Sequence, residues 1–232
     1  MTPRVLDIEA AQTAMRQQGL RAKALIEGPP RRRCPILLRQ TSFIAMEERV
    51  ACAGSASSSG THSARFGEIE ERGVALTRKC RALYNRLLAQ AHADAAATGD
   101  HTAALGNAFV AFPHDLETLR RERLAFFRYA LTEAGRAAMP LPDEPSIEEL
   151  IGRGLVSAEP LTYEDFLPVS AAGIFQSNMR KAQRVDYAVQ SARGSFEEAL
   201  GCAVVDEIAV YEREQFESLR EVRVAASAGE AA

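Results

Sequence analysis

The sequence predicts an α+β fold in which a few strands are segregated from several long helices. Two observations favour this class. Short runs of strand type, bounded by glycine and proline, are concentrated at about residues 35–75. From residue 77 onwards helical spacing dominates, because Cys80, Tyr84, Leu87 and Ala91 follow one another at intervals of four, three and four residues. The 232 residues are enough for one large domain.

In the first part of the chain we expect one helix and two strands. The helix is predicted over residues 7–20, since Asp7 can cap its start and Ile8, Ala11 and Met15 share a face. Strands are predicted over residues 36–43 and around Glu68. The Ser-, Gly- and Ala-rich residues 54–60 between them are typical of a loop that is mobile or closes over a site.

The second part is predicted to be mainly helical, with additions at about residues 77–138 and 195–218. A long helix follows Thr77, and a second is predicted over residues 115–137 with a loop at 98–112 between them. Ser146 with Glu149, and Ser195 with Glu198, match capping boxes, and the second of these predicts a helix towards residue 216. A strand is expected at 161–166 and a disordered tail at 225–232.

Composition excludes several classes of protein. A net charge of −3 gives no electrostatic footprint for nucleic acid. No apolar run approaches the ~18 residues that a membrane span needs, and the N-terminus lacks a secretory signal. The cysteines are scattered without a CxxC pair, which is typical of free buried thiols in a reducing cytosol. We therefore expect a cytoplasmic protein without nucleic-acid or membrane partners.

The segment most indicative of chemistry is residues 65–73, RFGEIEERG. In a strand, Glu68 and Glu70 point to the same side, roughly 7 Å apart along the chain. Two such carboxylates can share a metal, a proton or a substrate. They can equally form a solvated strand face, and the spacing alone leaves both interpretations open.

Other candidate residues are less specific. His62 shares the parity of Glu68, but a continuous strand would separate them by roughly 20 Å, which favours a loop histidine. Arg39, Arg65 and Arg72 are candidate clamps for a substrate carboxylate, although surface salt bridges are the commoner role of arginines.

The run Val169-Ser170-Ala171-Ala172-Gly173 follows a proline and has only small residues after its valine. Consecutive accessible N–H groups that open a helix make an anion site, which would suit a carboxylate substrate. Tight packing of a turn explains the same composition equally well.

Five stretches together resemble one family, the Fe(II)-dependent 2-oxoadipate dioxygenase/decarboxylases, also called hydroxyglutarate synthases. The stretches are long and keep the same order along the chain. They are residues 2–8 (TPRVLDI), 26–30 (IEGPP), 35–43 (PILLRQTSF), 61–73 (THSARFGEIEERG) and 166–175 (FLPVSAAGIF).

The resemblance implies a core similar to the vicinal-oxygen-chelate fold. It implies an enzyme that converts 2-oxoadipate and O2 to 2-hydroxyglutarate and CO2 in lysine catabolism, with Fe(2+) held by two histidines and a carboxylate. The carboxylate carries over onto Glu68, and the backbone contact to the substrate carries over onto Val169 and Ser170. The residues expected to lie beside Glu68 rather than to bind the metal are His62, Arg65 and Glu70.

The resemblance also implies missing parts. In the family pattern a ligand histidine precedes the segment that begins here at Met1, and the other histidine and a substrate-binding arginine lie further upstream. We therefore expect residues 1–224 to be the C-terminal portion of a single catalytic domain, inactive alone and prone to self-association through exposed core. The alternatives are a non-enzymatic fragment or subunit that completes its site with another chain, and a metal-independent acid/base enzyme that uses Glu68 and Glu70.

Overall fold

A computed structural model describes residues 2–20, 22, 26–42, 47–51, 59–63, 68–141, 145–164 and 197–227. Its elements are helices and small two-stranded sheets, which confirms the α+β class. The chain divides into two compact units. Unit 1 consists of Met1–Pro29, Leu37–Gly73 and Phe166–Arg184, and unit 2 of Pro30–Ile36, Val74–Asp165 and Val185–Ala232.

The described residues of unit 1 form one helix and two antiparallel strand pairs. Helix α1 (Ile8–Gln17) begins at Asp7, whose carboxylate accepts the amides of Glu9 and Ala10. Strand β1 (Leu38–Ser42) pairs with β4 (Glu68–Arg72), and β2 (Glu47–Ala51) pairs with β3 (Ser59–Ser63). Isolated bridges extend the β1–β4 pair on both sides, from Arg4 to Glu70 and from Glu27 to Gln40.

Unit 2 is mainly helical. The helices with described bounds are α2 (Arg78–Thr98), α3 (His101–Ala108), α4 (Leu116–Arg121), α5 (Glu133–Ala138), α6 (Ile147–Gly152) and α7 (Glu207–Ser227), and residues 197–200 are also helical. Strand β5 (Phe127–Leu131) pairs antiparallel with β6 (Val156–Pro160). No helix in the described part of the chain is long and apolar enough to cross a membrane.

The core of unit 2 contains several contacts between aromatic rings. The ring of Phe109 lies 5.5 Å from that of Tyr84 and 5.8 Å from that of Phe112, between centroids. Tyr211 of α7 stacks on Phe126 at 5.8 Å. Such pairs add to the hydrophobic stabilisation that comes from burying the rings.

Several predicted elements are confirmed with narrower bounds. The helix expected over residues 7–20 is α1, and the strands expected over 36–43 and around Glu68 are β1 and β4. Helix α2 begins after Thr77, whose hydroxyl accepts the amide of Cys80. The capping box of α6 is present, because Ser146 and Glu149 bond to each other's backbone amides.

The predictions for residues 98–137 are wrong in two places. The expected loop at 98–112 contains α3, which Asp100 caps by accepting the amide of Ala103. The expected helix over 115–137 is α4, β5 and α5 in succession. Helix α4 ends before Arg123, which has a φ of 55°, and β5 then alternates buried and exposed residues with a strand period.

Further differences lie towards the C-terminus. The strand expected at 161–166 lies earlier, as β6, and Thr162 forms only an isolated bridge to Val74. The helix expected to run from Ser195 towards 216 is interrupted at Gly201, where φ is 74°, and α7 extends to Ser227. Residues 225–227 of the expected disordered tail are therefore helical, and 228–232 lie outside the described residues.

The loop expected at residues 54–60 is described only at its end. Ser59 and Gly60 belong to strand β3, and residues 54–58 lie outside the described part of the chain.

Candidate functional site

The β1–β4 pair carries the predicted site on one of its faces. Gln40 pairs with Glu70 and Ser42 with Glu68 in the antiparallel register. Because side chains alternate along a strand, Gln40, Glu68 and Glu70 share a face, and Arg39 and Glu71 lie on the other. Glu68 and Glu70 therefore lie on a common side, as their spacing predicted.

Glu68 is half-buried, and among the described residues one neighbour binds its carboxylate. The Nε2 group of Gln40 donates a hydrogen bond of 2.8 Å to Oε2 of Glu68. Among the residues that the structure describes, no group donates to Oε1 and no basic side chain pairs with Glu68. Oε1 is therefore the oxygen that can accept a bond from a cation or a ligand.

Glu70 has a different environment. The residue is only 3% exposed, and both oxygens of its carboxylate are ion-paired. Arg72 donates to both of its oxygens, at 2.8 Å from Nε and 3.1 Å from Nη2. Arg4 approaches Oε1 at 3.7 Å. A two-bond pair of this kind neutralises a buried carboxylate and serves folding. Glu68 therefore has an oxygen available to bind a ligand, whereas the carboxylate of Glu70 is already bound within the fold.

The opposite face of β1 and β4 contains a second buried ion pair. Arg39 contacts Glu71 at 3.3 Å and Glu9 at 2.5 Å, and its Nε donates to the carbonyl of Pro29 at 3.1 Å. The other oxygen of Glu71 accepts the amide of Ile8 at 2.9 Å. This network connects the start of α1 to the strands.

Of the two roles considered for Arg39 and Arg72, the structure shows ion pairs and gives no support to a clamp for a substrate carboxylate. Both guanidinium groups are bound to glutamates of unit 1. A buried arginine that left its glutamate would leave that carboxylate uncompensated, at high cost.

Four predicted site residues lie where their side chains are not described. The backbone of His62 is part of β3, opposite Glu48, so the expected loop position of this histidine is wrong. Arg65, Val169 and Ser170 lie outside the described residues.

The described side chains do not complete a metal centre. Across the described part of the chain, no three His, Cys, Asp or Glu side chains are grouped so that they could hold a metal ion. Among the histidines, the exposed His114 lies beside Arg32, with 3.2 Å between its Nδ1 atom and Nη2 of the arginine. Glu68 is chemically suited to one position of a site with two histidines and a carboxylate, and the other donors of such a site are not among the described residues.

The described cysteines are free, and two of them are buried. Burial raises the pKa of Cys80 to about 12, and it raises the pKa of Cys34 as well. Both thiols are therefore protonated at neutral pH, which makes them poor nucleophiles. Cys202 is exposed, contrary to the expectation that all the thiols are buried.

Unit 2 has an open depression of about 410 Å³ between α4, α6 and β6. The buried guanidinium of Arg120 lines it and pairs with Glu148. Arg121 pairs with Glu117 at 2.8 Å. Because its charges are already paired, the depression offers no arrangement for catalysis.

Sequence reasoning did not single out Gln40. The residue lies within the stretch PILLRQTSF, where its type alone indicates no role. Its position opposite Glu70 and its contact with Glu68 depend on the register between strands 28 residues apart in sequence. A single sequence carries no signal for that register.

Comparisons with known proteins agree with the resemblance. The family model described as 2-oxoadipate dioxygenase/decarboxylase matches residues 1–178. The 2-oxoadipate dioxygenase/decarboxylase of Escherichia coli K12 is 50% identical over 227 residues, which cover 95% of this chain and 49% of the relative. The enzyme of the same name from Pseudomonas putida KT2440 is 49% identical over 227 residues, with the same coverage of both chains.

Solved structures give the same result. The crystal structure of the hydroxyglutarate synthase from Pseudomonas putida in complex with 2-oxoadipate matches with a TM-score of 0.80 at 44% identity, covering 97% of this chain and 50% of that one. A second structure of the hydroxyglutarate synthase from Pseudomonas putida matches with a TM-score of 0.75 at 42% identity, covering 97% and 48%. The chain thus spans about half the length of the curated relatives it matches. On these matches, the chain belongs to the 2-oxoadipate dioxygenase/decarboxylase family.

Proposed function

We propose that this chain provides part of the active site of an Fe(II)-dependent dioxygenase that decarboxylates 2-oxoadipate. The reaction is 2-oxoadipate plus O2 to 2-hydroxyglutarate plus CO2, which balances in all atoms. The observation that supports it best is Glu68, a carboxylate fixed by one amide and without an ion-pair partner among the described residues. Family membership supports the reaction, since the relatives are named for this substrate and this chemistry.

Glu68 would be the carboxylate ligand of the iron. Its Oε2 already accepts from Gln40, so Oε1 would bind the metal. When bound, Fe(II) supplies open coordination positions at which a 2-oxo acid and O2 can meet. The remaining ligands would come from residues that the structure does not describe, or from outside this chain.

Val169 and Ser170 would bind the substrate through their backbone. The small residues that follow them leave the N–H groups accessible to a carboxylate. His62 and Arg65 would lie beside Glu68. We further propose that the fold is similar to the vicinal-oxygen-chelate core, and that the protein acts in lysine catabolism in the cytoplasm.

Glu70 gives no support to a metal-independent enzyme with two acidic catalysts. Its carboxylate is buried and bound at both oxygens by Arg72. A general acid or base must be free to exchange a proton with the substrate. Glu70 instead stabilises the strand that carries Glu68.

The test compares Glu68→Gln with Glu70→Gln in the full-length protein. We expect Glu68→Gln to weaken metal binding strongly and to abolish 2-oxoadipate-dependent O2 uptake while the melting temperature stays unchanged. We expect Glu70→Gln to lower the melting temperature, because it leaves Arg72 with a weaker partner, and to keep iron binding at the wild-type level. Iron-dependent turnover by Glu68→Gln would contradict the proposal, and loss of activity in both variants without a metal requirement would favour the acid/base enzyme.

The 232-residue chain is assayed in parallel. We expect no 2-oxoadipate-dependent O2 uptake from it, because one carboxylate cannot hold Fe(II) usefully without further ligands in fixed geometry. Exposed side chains such as Leu6 and Phe216 would support self-association of the chain. Analytical ultracentrifugation checks this, and a monomer at all concentrations would contradict it.

A further inference from the structure

Gln40 is a buried polar residue whose side chain makes one hydrogen bond to the residues that the structure describes. It is 4% exposed. Its backbone is fully used in the bridge to Glu27, with N–H···O distances of 2.9 and 2.8 Å. Its Nε2 group donates to Glu68 at 2.8 Å, while its Oε1 atom has no hydrogen-bond partner among the residues that the structure describes.

A role in folding does not explain this arrangement, because it is unfavourable for the stability of the fold. A buried carboxamide with an unpaired oxygen costs more than an apolar side chain of similar size. The same strand shows the apolar solution two residues earlier, where Leu38 occupies the same face and is 1% exposed. The contact with Glu68 is the one feature of the Gln40 side chain that a leucine would not reproduce.

The contact also has a defined direction. An ionised carboxylate only accepts hydrogen bonds, so the amide must present Nε2 to Glu68. That bond fixes Oε2 and restricts rotation of the carboxylate about its last torsion. Oε1 of Glu68 is then held in one orientation with no described group donating to it.

We propose that Gln40 is a positioning residue that orients the carboxylate of Glu68 for metal binding. The inference rests on the proposed function, in which Glu68 is a metal ligand. Residues that hydrogen-bond to a metal ligand raise the affinity of the site by fixing the ligand before the metal arrives. Gln40 acts through Glu68 and contacts neither metal nor substrate.

The experiment measures the affinity of the full-length protein for Mn²⁺, a redox-stable probe of an Fe(II) site, by electron paramagnetic resonance of the free ion. We expect Gln40→Leu to weaken binding by about 10- to 100-fold without lowering the melting temperature. Gln40→Met removes the same donor with an unbranched side chain, and it is used if the leucine variant does not fold.

The matched control is Thr41→Val, in the same strand and facing the other way. Thr41 is 2% exposed, and its hydroxyl has no partner among the described residues. The substitution thus disturbs the strand to a similar degree without touching Glu68. We expect wild-type Mn²⁺ affinity and an unchanged or slightly higher melting temperature.

A double variant shows whether Gln40 acts through Glu68. We expect Gln40→Leu with Glu68→Gln to bind Mn²⁺ no more weakly than Glu68→Gln alone, because the interaction is already lost. Additive losses would overturn the inference. Wild-type affinity in Gln40→Leu and Gln40→Met, with loss in Glu68→Gln, would overturn it and leave the proposed function standing. Wild-type affinity in Glu68→Gln would overturn both.

Discussion

The two units bury different kinds of side chain. The buried residues of unit 2 are mostly apolar, aliphatic and aromatic together, and Ser218 is the one polar residue of this unit that is buried as a whole among the described residues. Unit 1 has a smaller apolar core and several buried polar or charged residues in and beside β1 and β4. These are Gln12, Arg39, Gln40, Thr41, Glu70 and Glu71.

The difference indicates how each unit is stabilised and where the site lies. Apolar packing does not require one specific partner for each side chain. A buried charge, in contrast, is stable only with its counter-charge in place. The pair Arg39–Glu71 therefore helps to hold β1 and β4 in register, while Arg72 neutralises Glu70 within β4 on the other face. A rigid register is what a site residue such as Glu68 requires from its strand.

The largest effect is expected from Arg39→Met. The substitution leaves Glu71 buried without a counter-charge, which should lower the free energy of unfolding of unit 1 by about 4 kcal/mol. Urea unfolding followed by circular dichroism measures the loss, and hydrogen exchange of the β4 amides locates it. Adding Glu71→Leu should restore much of the stability, because the unpaired charge is removed together with its partner.

The control for this prediction is Arg128→Met. Arg128 pairs with Glu214 on the surface of unit 2, and its side chain is 59% exposed. Exposed pairs contribute about 0–1 kcal/mol. An equal loss of unfolding free energy in the two arginine variants would show that burial does not distinguish the two ion pairs. The proposed difference between the units would then be wrong.

Apolar packing in unit 2 is tested by Phe109→Ala, with a somewhat smaller expected effect. Phe109 is 1% exposed and contacts the rings of Tyr84 and Phe112. Its removal should cost about 3 kcal/mol through lost burial and the cavity left behind. Phe216→Ala, at a position that is 66% exposed, should stay within about 0.5 kcal/mol of the wild type in the same urea titration. Equal effects would show that Phe109 does not lie in a cooperative core.

Local signals in the sequence predicted the elements whose boundaries depend on neighbouring residues. Asp7, Thr77 and Ser146 begin helices where the capping preferences place them, because a cap is a contact within about three residues. The common side of Glu68 and Glu70 follows from strand alternation, which is also local.

The features that were missed depend on distant contacts. The apolar residues between 116 and 131 fit a helical period, but Arg123 breaks the helix and β6 draws residues 127–131 into a strand pair. The partners of Arg39 and Gln40 depend on the β1–β4 register, which brings together residues 32 and 28 positions apart. Arg72 pairs with Glu70 in its own strand, but the burial of that pair depends on the rest of the fold. The residue types alone could not show that Arg39 and Arg72 are bound to glutamates within the fold, whereas Glu68 keeps one oxygen without a described donor.

The smallest effects concern close packing in unit 2, where two helical glycines should respond with opposite signs. A Cβ atom at Gly135 in α5 would lie 1.9 Å from the carbonyl oxygen of Leu155, which accepts the amide of Thr132 and cannot move freely. Gly135→Ala should therefore destabilise by about 1–3 kcal/mol through overpacking. At Gly106 in α3 a Cβ would meet nothing within 4 Å, so Gly106→Ala should stabilise by up to about 1 kcal/mol through helix propensity.

Thermal unfolding of the two glycine variants measures both signs in one experiment. Helix propensity favours alanine at both positions, so only the contact with Leu155 can reverse the sign at Gly135. If both variants were stabilised, α5 would have room to move away from Leu155. The packing of unit 2 would then be adaptable around its aromatic core, and the requirement for exact partners would be confined to the ion pairs of unit 1.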